Sequence, residues 1–186
     1  VFDSLHLAGP RPIPDTGIDG AFGWWDLRET DEADGADIQD IPDQIGGRDA
    51  TVAGAGQEAT KHVQSGQPTG YGDFDHVAED EYNVASPADF SFLATSGGSL
   101  FATVRPEANN LTKSILSAYN GGGTDAGWIF ATQDTGKIRM TVYDNGGITT
   151  HQTTTSAVIP NDGNFHTIGV SVGASAAKYF VDGSLV

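Results

Sequence analysis

Apolar and polar residues alternate with period two along several short stretches of this chain, and the clearest lie near its end. Residues 164–172 and 178–186 both show this alternation, and the second contains the pair Asp182-Gly183, which is typical of a tight hairpin turn. No stretch shows the 3.6-residue period of an amphipathic helix. The pattern therefore predicts antiparallel β-sheet.

The same alternation recurs in the middle of the chain. In residues 137–143 it predicts that Ile138, Met140 and Val142 face the core. The intervening side chains are expected outside; they are Lys137, Arg139, Thr141 and Tyr143. Short strands separated by Gly and Asp turns predict two packed antiparallel sheets.

The order of these segments resembles the laminin G-like and concanavalin A-like jelly-roll family. The likeness is carried by residues 34–51, 71–84 and 99–106, and by an aromatic-His strand start at 165–166 followed by Tyr-x-Val-Asp-Gly at 179–183. The resemblance implies an all-β fold, a two-sheet antiparallel jelly-roll sandwich over residues 21–186. It also implies binding of glycans or proteins, because members outside the hydrolase branches rarely do chemistry.

The two ends of the chain carry separate expectations. Pro10, Pro12 and Pro14 remove backbone donors and favour a polyproline-like path, so residues 1–20 are predicted to form an extended arm that docks on a neighbouring subunit or acts as a linker. Family members continue with at least one more long strand after the final hairpin. We therefore expect domain 21–186 to lack its last strand, as a fragment or with that strand supplied by something else.

Charge and composition exclude several classes of function. The 25 acids and 9 bases leave a formal net charge of -16, which repels phosphate and disfavours a nucleic-acid partner. No run of 18 apolar residues is present, so no membrane insertion is expected. Because the chain has no cysteine, disulfides and thiolate metal sites are excluded.

Calcium is the one cofactor that the resemblance suggests, and none is strictly required. Thirteen of the acids lie in residues 26–43 and 73–81, and the plain alternative is a solvated, mutually repelling surface. The resemblance implies one Ca²⁺ between loops at the rim of the sandwich, held by oxygen ligands. The candidate ligands in such loops are Asp125, Asp144 and Asp162.

A glycan site needs an exposed aromatic ring and polar groups that bond sugar hydroxyls. The candidates are Tyr119, Asn120, Trp128, Tyr143 and Asn145. Of these, Trp128 has the competing role of a core residue. Among the histidines, His166 shares the parity of the buried side of its strand and is expected to be packed with one satisfied nitrogen.

Catalysis is not expected. A jelly-roll glycosidase presents two carboxylates on a central strand, whereas Glu79, Asp80 and Glu81 fall at a turn of the family pattern. The sequence thus predicts a non-catalytic protein of a virion or surface assembly, on a virion surface or outside the cell. Its partners would be neighbouring subunits and a cell-surface glycan. The alternatives are a carbohydrate-binding lectin module of a secreted bacterial protein and, least favoured, a laminarinase-type glycoside hydrolase.

Overall fold

The computed structural model shows an all-β chain of antiparallel sheets, which confirms the predicted class. The residues that it describes are 2–8, 21–27, 30–45, 47–63, 70–74, 80–84, 97–105, 113–118, 127–133, 136–144, 147–154, 156–173 and 176–186. They contain fifteen strands and no α-helix. Contacts divide the chain into two compact units, residues 1–85 with 102–104 and residues 86–101 with 105–186.

The first unit contains two runs of hydrogen-bonded strands. Its strands are β1 (Phe2–Ala8), β2 (Ala21–Asp26), β3 (Asp40–Ile41), β4 (Ala50–Val52), β5 (Thr60–Val63), β6 (Gly70–Asp73) and β7 (Tyr82–Val84). They are ordered β2-β1-β6-β5 and β3-β4-β7. Residues 2–8 of the predicted arm thus form β1, which pairs with β2 and β6 of its own chain, while Pro10, Pro12 and Pro14 lie outside the described residues.

The core of the first unit forms around Trp25 and Ile38, which are 3% and 0% exposed. The indole N–H of Trp25 donates to the carbonyl of Arg48 at 2.7 Å, as a buried indole requires. The Tyr82 hydroxyl donates to the Ile38 carbonyl at 2.6 Å and accepts from the Ala59 amide at 3.0 Å. The first bond holds the loop at Arg48 against β2, and the other two hold Ile38 and Ala59 against β7.

Part of the acidic run at 26–43 is built into this core, so it is not simply a solvated surface. Asp26 and Asp43 are buried. The Asp43 carboxylate accepts the backbone amides of Ile45 and Arg48 at 3.1 and 3.3 Å and lies 3.9 Å from the Arg48 guanidinium. A carboxylate with several donors is stable when buried, because each donor replaces a lost water.

A buried lysine is the other charged group of this core. Lys61 is 2% exposed, and its ammonium donates to the Leu27 carbonyl at 2.5 Å and to the carbonyl and hydroxyl of Thr30 at 3.2 and 2.6 Å. An ammonium has three protons, and three oxygens receive them. The lysine therefore ties β5 to the segment after β2.

The second unit also contains two runs of hydrogen-bonded strands. Its strands are β8 (Gly98–Val104), whose residues 102–104 group with the first unit, β9 (Lys113–Ser117), β10 (Gly127–Gln133), β11 (Lys137–Asp144), β12 (Gly147–Thr153), β13 (His166–Val172), β14 (Ala177–Val181) and β15 (Ser184–Leu185). The strand orders are β12-β11-β10-β9 and β15-β14-β13-β8.

Both sheets of the second unit contribute to its core. Trp128, Phe130, Ile138 and Ile168 are each 0% exposed. The buried hydroxyl of Tyr179 in β14 accepts the backbone amide of Met140 in β11 at 3.2 Å. The hairpin predicted from Asp182-Gly183 is present between β14 and β15, with both residues at positive φ, 49° and 79°.

Candidate functional site

The hairpin of β10 and β11 separates its side chains into two faces. Antiparallel register pairs Trp128 with Val142 and Phe130 with Met140, and all four side chains are buried. Because side chains alternate across a strand, the intervening residues point away from this core. We define the outer face as Ile129, Ala131 and Gln133 of β10 together with Lys137, Arg139, Thr141 and Tyr143 of β11.

The outer face is buried at its centre and partly exposed at the long polar side chains around it. Ala131 and Thr141 are buried, at 0% and 1% exposure, whereas Lys137, Arg139 and Tyr143 are half-buried. The long side chains are therefore partly packed against the sheet and partly exposed to solvent. Such a surface offers an aromatic ring, a guanidinium and an ammonium on one strand.

Arg139 carries the least satisfied polar atom of this face. Its Nε is shielded from solvent and has no hydrogen-bond partner in the part of the chain that the structure describes. A buried donor without an acceptor costs about 1–3 kcal/mol. Lys137 lies two residues away on the same side, at a Cα separation of about 6.6 Å.

The two units differ strongly in charge. In the sequence, the first unit has 18 acids and 4 bases, and the second has 7 acids and 5 bases. The outer face belongs to the nearly balanced unit and contains two of its bases. Oxygen-rich ligands therefore meet little repulsion on this face, unlike on the first unit.

The predicted glycan residues do not all lie on this face. Tyr143 does, half-buried. Trp128 is fully buried on the opposite side of the same sheet, because its parity pairs it with Val142; it cannot be a platform in this structure. Tyr119, Asn120 and Asn145 lie outside the described residues. Arg139 and Lys137 were predicted to face outward, but their shared face was not recognised as a site.

The calcium candidates are not brought together by the described residues. Asp125 and the side chain of Asp144 lie outside them. Asp162 is exposed, and its carboxylate faces the ring of His166 at 3.0 Å and accepts the amide of Asn164 at 2.9 Å. These two bonds lower the pKa of Asp162 to about 2. Within the described ranges, no group of three or more His, Cys, Asp or Glu side chains is arranged to hold a metal ion.

His166 is the most strongly coupled ionisable group of the second unit. It was expected to have one satisfied nitrogen, but both ring nitrogens lie near carboxylates: Nδ1 is 2.8 Å from Asp182 and Nε2 is 3.0 Å from Asp162. The hydrogen bonds to Asp182 and then to Asp162 raise the pKa of His166, and the bond from His166 lowers the pKa of Asp182. The three side chains form one charged cluster.

Of the carboxylates considered for catalysis, Asp80 and Glu81 lie in a loop. Glu81 is exposed and immediately precedes β7; its amide donates to the Gln57 carbonyl at 3.0 Å, and its carbonyl accepts the Ala53 amide at 2.8 Å. Glu79 lies outside the described residues. The backbone around Glu81 thus closes a loop, which gives this residue a structural role.

No family model, no curated protein and no solved structure matches the chain. Among the described residues, none of the elements is a helix long and apolar enough to cross a membrane. Function is therefore inferred from the chain's own side chains.

Proposed function

We propose that this chain is a non-catalytic protein of a virion or other surface assembly, located on a virion surface or outside the cell, and that its second unit binds glycan through the outer face. One observation carries the glycan-binding part of this proposal. Tyr143, Arg139 and Lys137 occupy alternate positions of β11, so an aromatic ring and two cationic groups share one half-buried surface.

The chemistry of this row suits a sugar chain. An aromatic ring packs against the apolar face of a pyranose, while guanidinium and ammonium groups donate to hydroxyl or ring oxygens. The Cα atoms of Arg139 and Tyr143 are about 13 Å apart along the strand, which exceeds a single sugar ring. A ligand of more than one residue would contact the whole row.

The finer fold assignment belongs to the same proposal. The strand order β15-β14-β13, with an aromatic-His start at Phe165 and a Tyr-x-Val-Asp-Gly hairpin ending at Gly183, supports a laminin G-like jelly-roll sandwich. In an assembly, neighbouring subunits would be the protein partners. The 18 acids of the first unit disfavour nucleic acid as a ligand, since phosphate would be repelled.

A binding assay tests the glycan part directly. The purified chain is passed over immobilised neutral and acidic polysaccharides, together with the variants Tyr143→Ala and Arg139→Gln. We expect each variant to bind at least about tenfold more weakly, because each loses about 1.5 kcal/mol of stacking or hydrogen bonding.

Two matched controls separate binding from folding. Tyr71→Ala removes a half-buried tyrosine of the first unit, and Lys178→Gln removes an exposed cation of β14. Both should bind like the parent chain. Equal retention of all four variants, or no retention of the parent chain on any polysaccharide, would refute the glycan site.

The assembly part needs a different measurement. Co-purification of the chain with symmetric particles supports a virion or surface-assembly protein. A soluble monomer that is retained on polysaccharide but never found in particles would instead indicate the alternative, a carbohydrate-binding module of a secreted bacterial protein. Cleavage of the polysaccharide during the assay would contradict a non-catalytic function.

A further inference from the structure

The His166 cluster joins two segments that are distant in sequence. The side chain of His166, the first residue of β13, is 9% exposed, while the carboxylates of Asp162 and Asp182 on either side are 46% and 52% exposed. Asp162 lies in the segment before β13, and Asp182 lies in the turn between β14 and β15. The imidazole therefore connects that segment to that turn.

The geometry specifies the protonation state of the ring. An ionised carboxylate only accepts hydrogen bonds, so each ring nitrogen at 2.8 or 3.0 Å from a carboxylate oxygen must carry a proton. Only the imidazolium has a proton on both nitrogens. The closed cluster is thus a cation between two anions, with short charge-assisted bonds.

The two carboxylates are held with unequal strength. Asp182 uses its second oxygen to accept the Thr167 amide at 2.9 Å, and it lies in a hairpin between two strands. Asp162 uses Oδ1 both for His166 and for the amide of Asn164, whose side chain also bonds this carboxylate, and it lies outside the strands, in the segment before β13. When one bond must be lost, the bond to Asp162 is the weaker.

We propose that His166 is a pH-sensitive latch that holds residues 160–165 to the β14–β15 turn and releases that segment when the ring loses its proton. Neutral imidazole has one N–H, which stays on Nδ1 toward Asp182. The lone pair on Nε2 then faces an Asp162 oxygen at 3.0 Å, and the two repel. The segment moves because Asp162 lacks the bond to the Thr167 amide and the two paired strands that hold Asp182 in place.

The direction of the pH response follows from the shifted groups. The raised pKa of His166 means that its contribution is fully present below about 6.5, its unfolded value, and is lost as pH rises through the folded pKa. The lowered pKa values of Asp162 and Asp182 keep both carboxylates charged down to acidic pH. The latch is therefore closed in mildly acidic solution and opens on the alkaline side.

Another charged group of the described residues lies near the cluster without facing the His166 ring. Arg105, which follows β8, lies over the ring of the adjacent Phe165 at 5.2 Å from its centroid. Among the described residues, the ionisable groups that face the ring itself are Asp162 from the preceding segment and Asp182 from the hairpin.

His62 supplies an internal comparison in the first unit. It also lies between two aspartates, Asp34 and Asp73, but at 3.9 and 3.7 Å, and its side chain is 38% exposed. These distances exceed those of hydrogen bonds. His62 therefore lacks the geometry of a latch and serves as a matched control.

The test follows the segment and the ring together in the full chain. Amide hydrogen exchange of residues 160–165 is measured from pH 5 to 9, corrected for the intrinsic rate, while NMR of the ring protons reports the titration of His166. We expect the protection of these amides to fall about tenfold as His166 titrates. The exchange rates of the amides in β13 and β14 should not change as His166 titrates.

Variants assign the effect to individual contacts. Asp162→Asn should lower the pKa of His166 and release residues 160–165 at every pH, and Asp182→Asn should lower that pKa further. His62→Gln and Asp40→Asn should leave the profile unchanged. Protection that does not follow the titration of His166, or a profile that a calcium chelator displaces, would overturn the proposal.

Discussion

A glycine beside the outer face allows the packing described for the second unit to be tested with a single methyl group. Gly136 immediately precedes β11 and has a φ of 80°, in the left-handed region that favours glycine. Its carbonyl accepts the amides of Val158 and Ile159 at 2.9 and 3.0 Å. A Cβ at this position would lie 2.8 Å from the Ile159 carbonyl oxygen. Because that oxygen is backbone, Gly136→Ala must displace the segment that it anchors.

Gly163 provides the matched control within the same unit. Its φ is 78°, nearly that of Gly136, but no atom of the described residues lies within 4 Å of the position of its Cβ. Both alanine variants therefore have the same backbone strain, about 1–2 kcal/mol, partly offset by a less flexible unfolded chain. Only Gly136→Ala adds the steric overlap, which costs about 1–3 kcal/mol.

Urea denaturation followed by circular dichroism measures the difference. We expect Gly163→Ala to lower the free energy of unfolding by about 1 kcal/mol, and Gly136→Ala to lower it by about 2–4 kcal/mol. In thermal unfolding these values correspond to decreases of about 2–4 °C and about 4–16 °C. Equal midpoints for the two variants, with unchanged slopes, would refute the described contact between Gly136 and Ile159.

Two further predictions concern buried polar groups. Lys61→Met leaves the oxygens of Leu27 and Thr30 without their donor, so urea denaturation should show a loss of at least about 2 kcal/mol in the free energy of unfolding of the first unit. The exposed control Lys178→Met should lose at most about 0.5 kcal/mol. A similar loss in both variants would contradict the buried arrangement. Burial raises the pKa values of Tyr82 and Tyr179 to about 12, so folding favours their neutral phenols, and their stabilising contribution is lost as pH rises from about 10 through 12. In an alkaline titration followed by tyrosinate absorbance, Tyr82→Phe and Tyr179→Phe should each reduce the absorbance change near pH 12. If they reduce the change near pH 10 instead, the rings are not buried.

The class of fold was predictable because side-chain direction in a strand is a local property. Period-two alternation in residues 137–143 predicted that Ile138 and Met140 face the core and that Lys137 and Arg139 face outward, and the burial of the first pair and the half-exposure of the second agree with it. The Asp182-Gly183 turn was predictable for the same reason, since it depends on two adjacent residues. The jelly-roll arrangement and the laminin G-like assignment remain predictions.

Alternation sets only the face to which a side chain points. Thr141 points outward as predicted but is 1% exposed, because it is a short side chain in a strand paired on both sides. Trp128 was considered as a platform, and its pairing with Val142 places it in the core. Burial depends on what the neighbouring strands place around a residue, and the order of strands is not encoded in the period of one of them.

The charged groups show most clearly what only the tertiary structure decided. The parity of His166 predicted a packed ring, but its second carboxylate comes from Asp182, sixteen residues later, across a hairpin. The oxygens around Lys61 come from Leu27 and Thr30, more than thirty residues earlier. Sequence by itself determined which residues alternate, where the chain turns and how much charge it carries. The partners of its buried and coupled charges were decided by long-range pairing, because a hydrogen bond requires atoms within about 3 Å, a condition that no local pattern expresses.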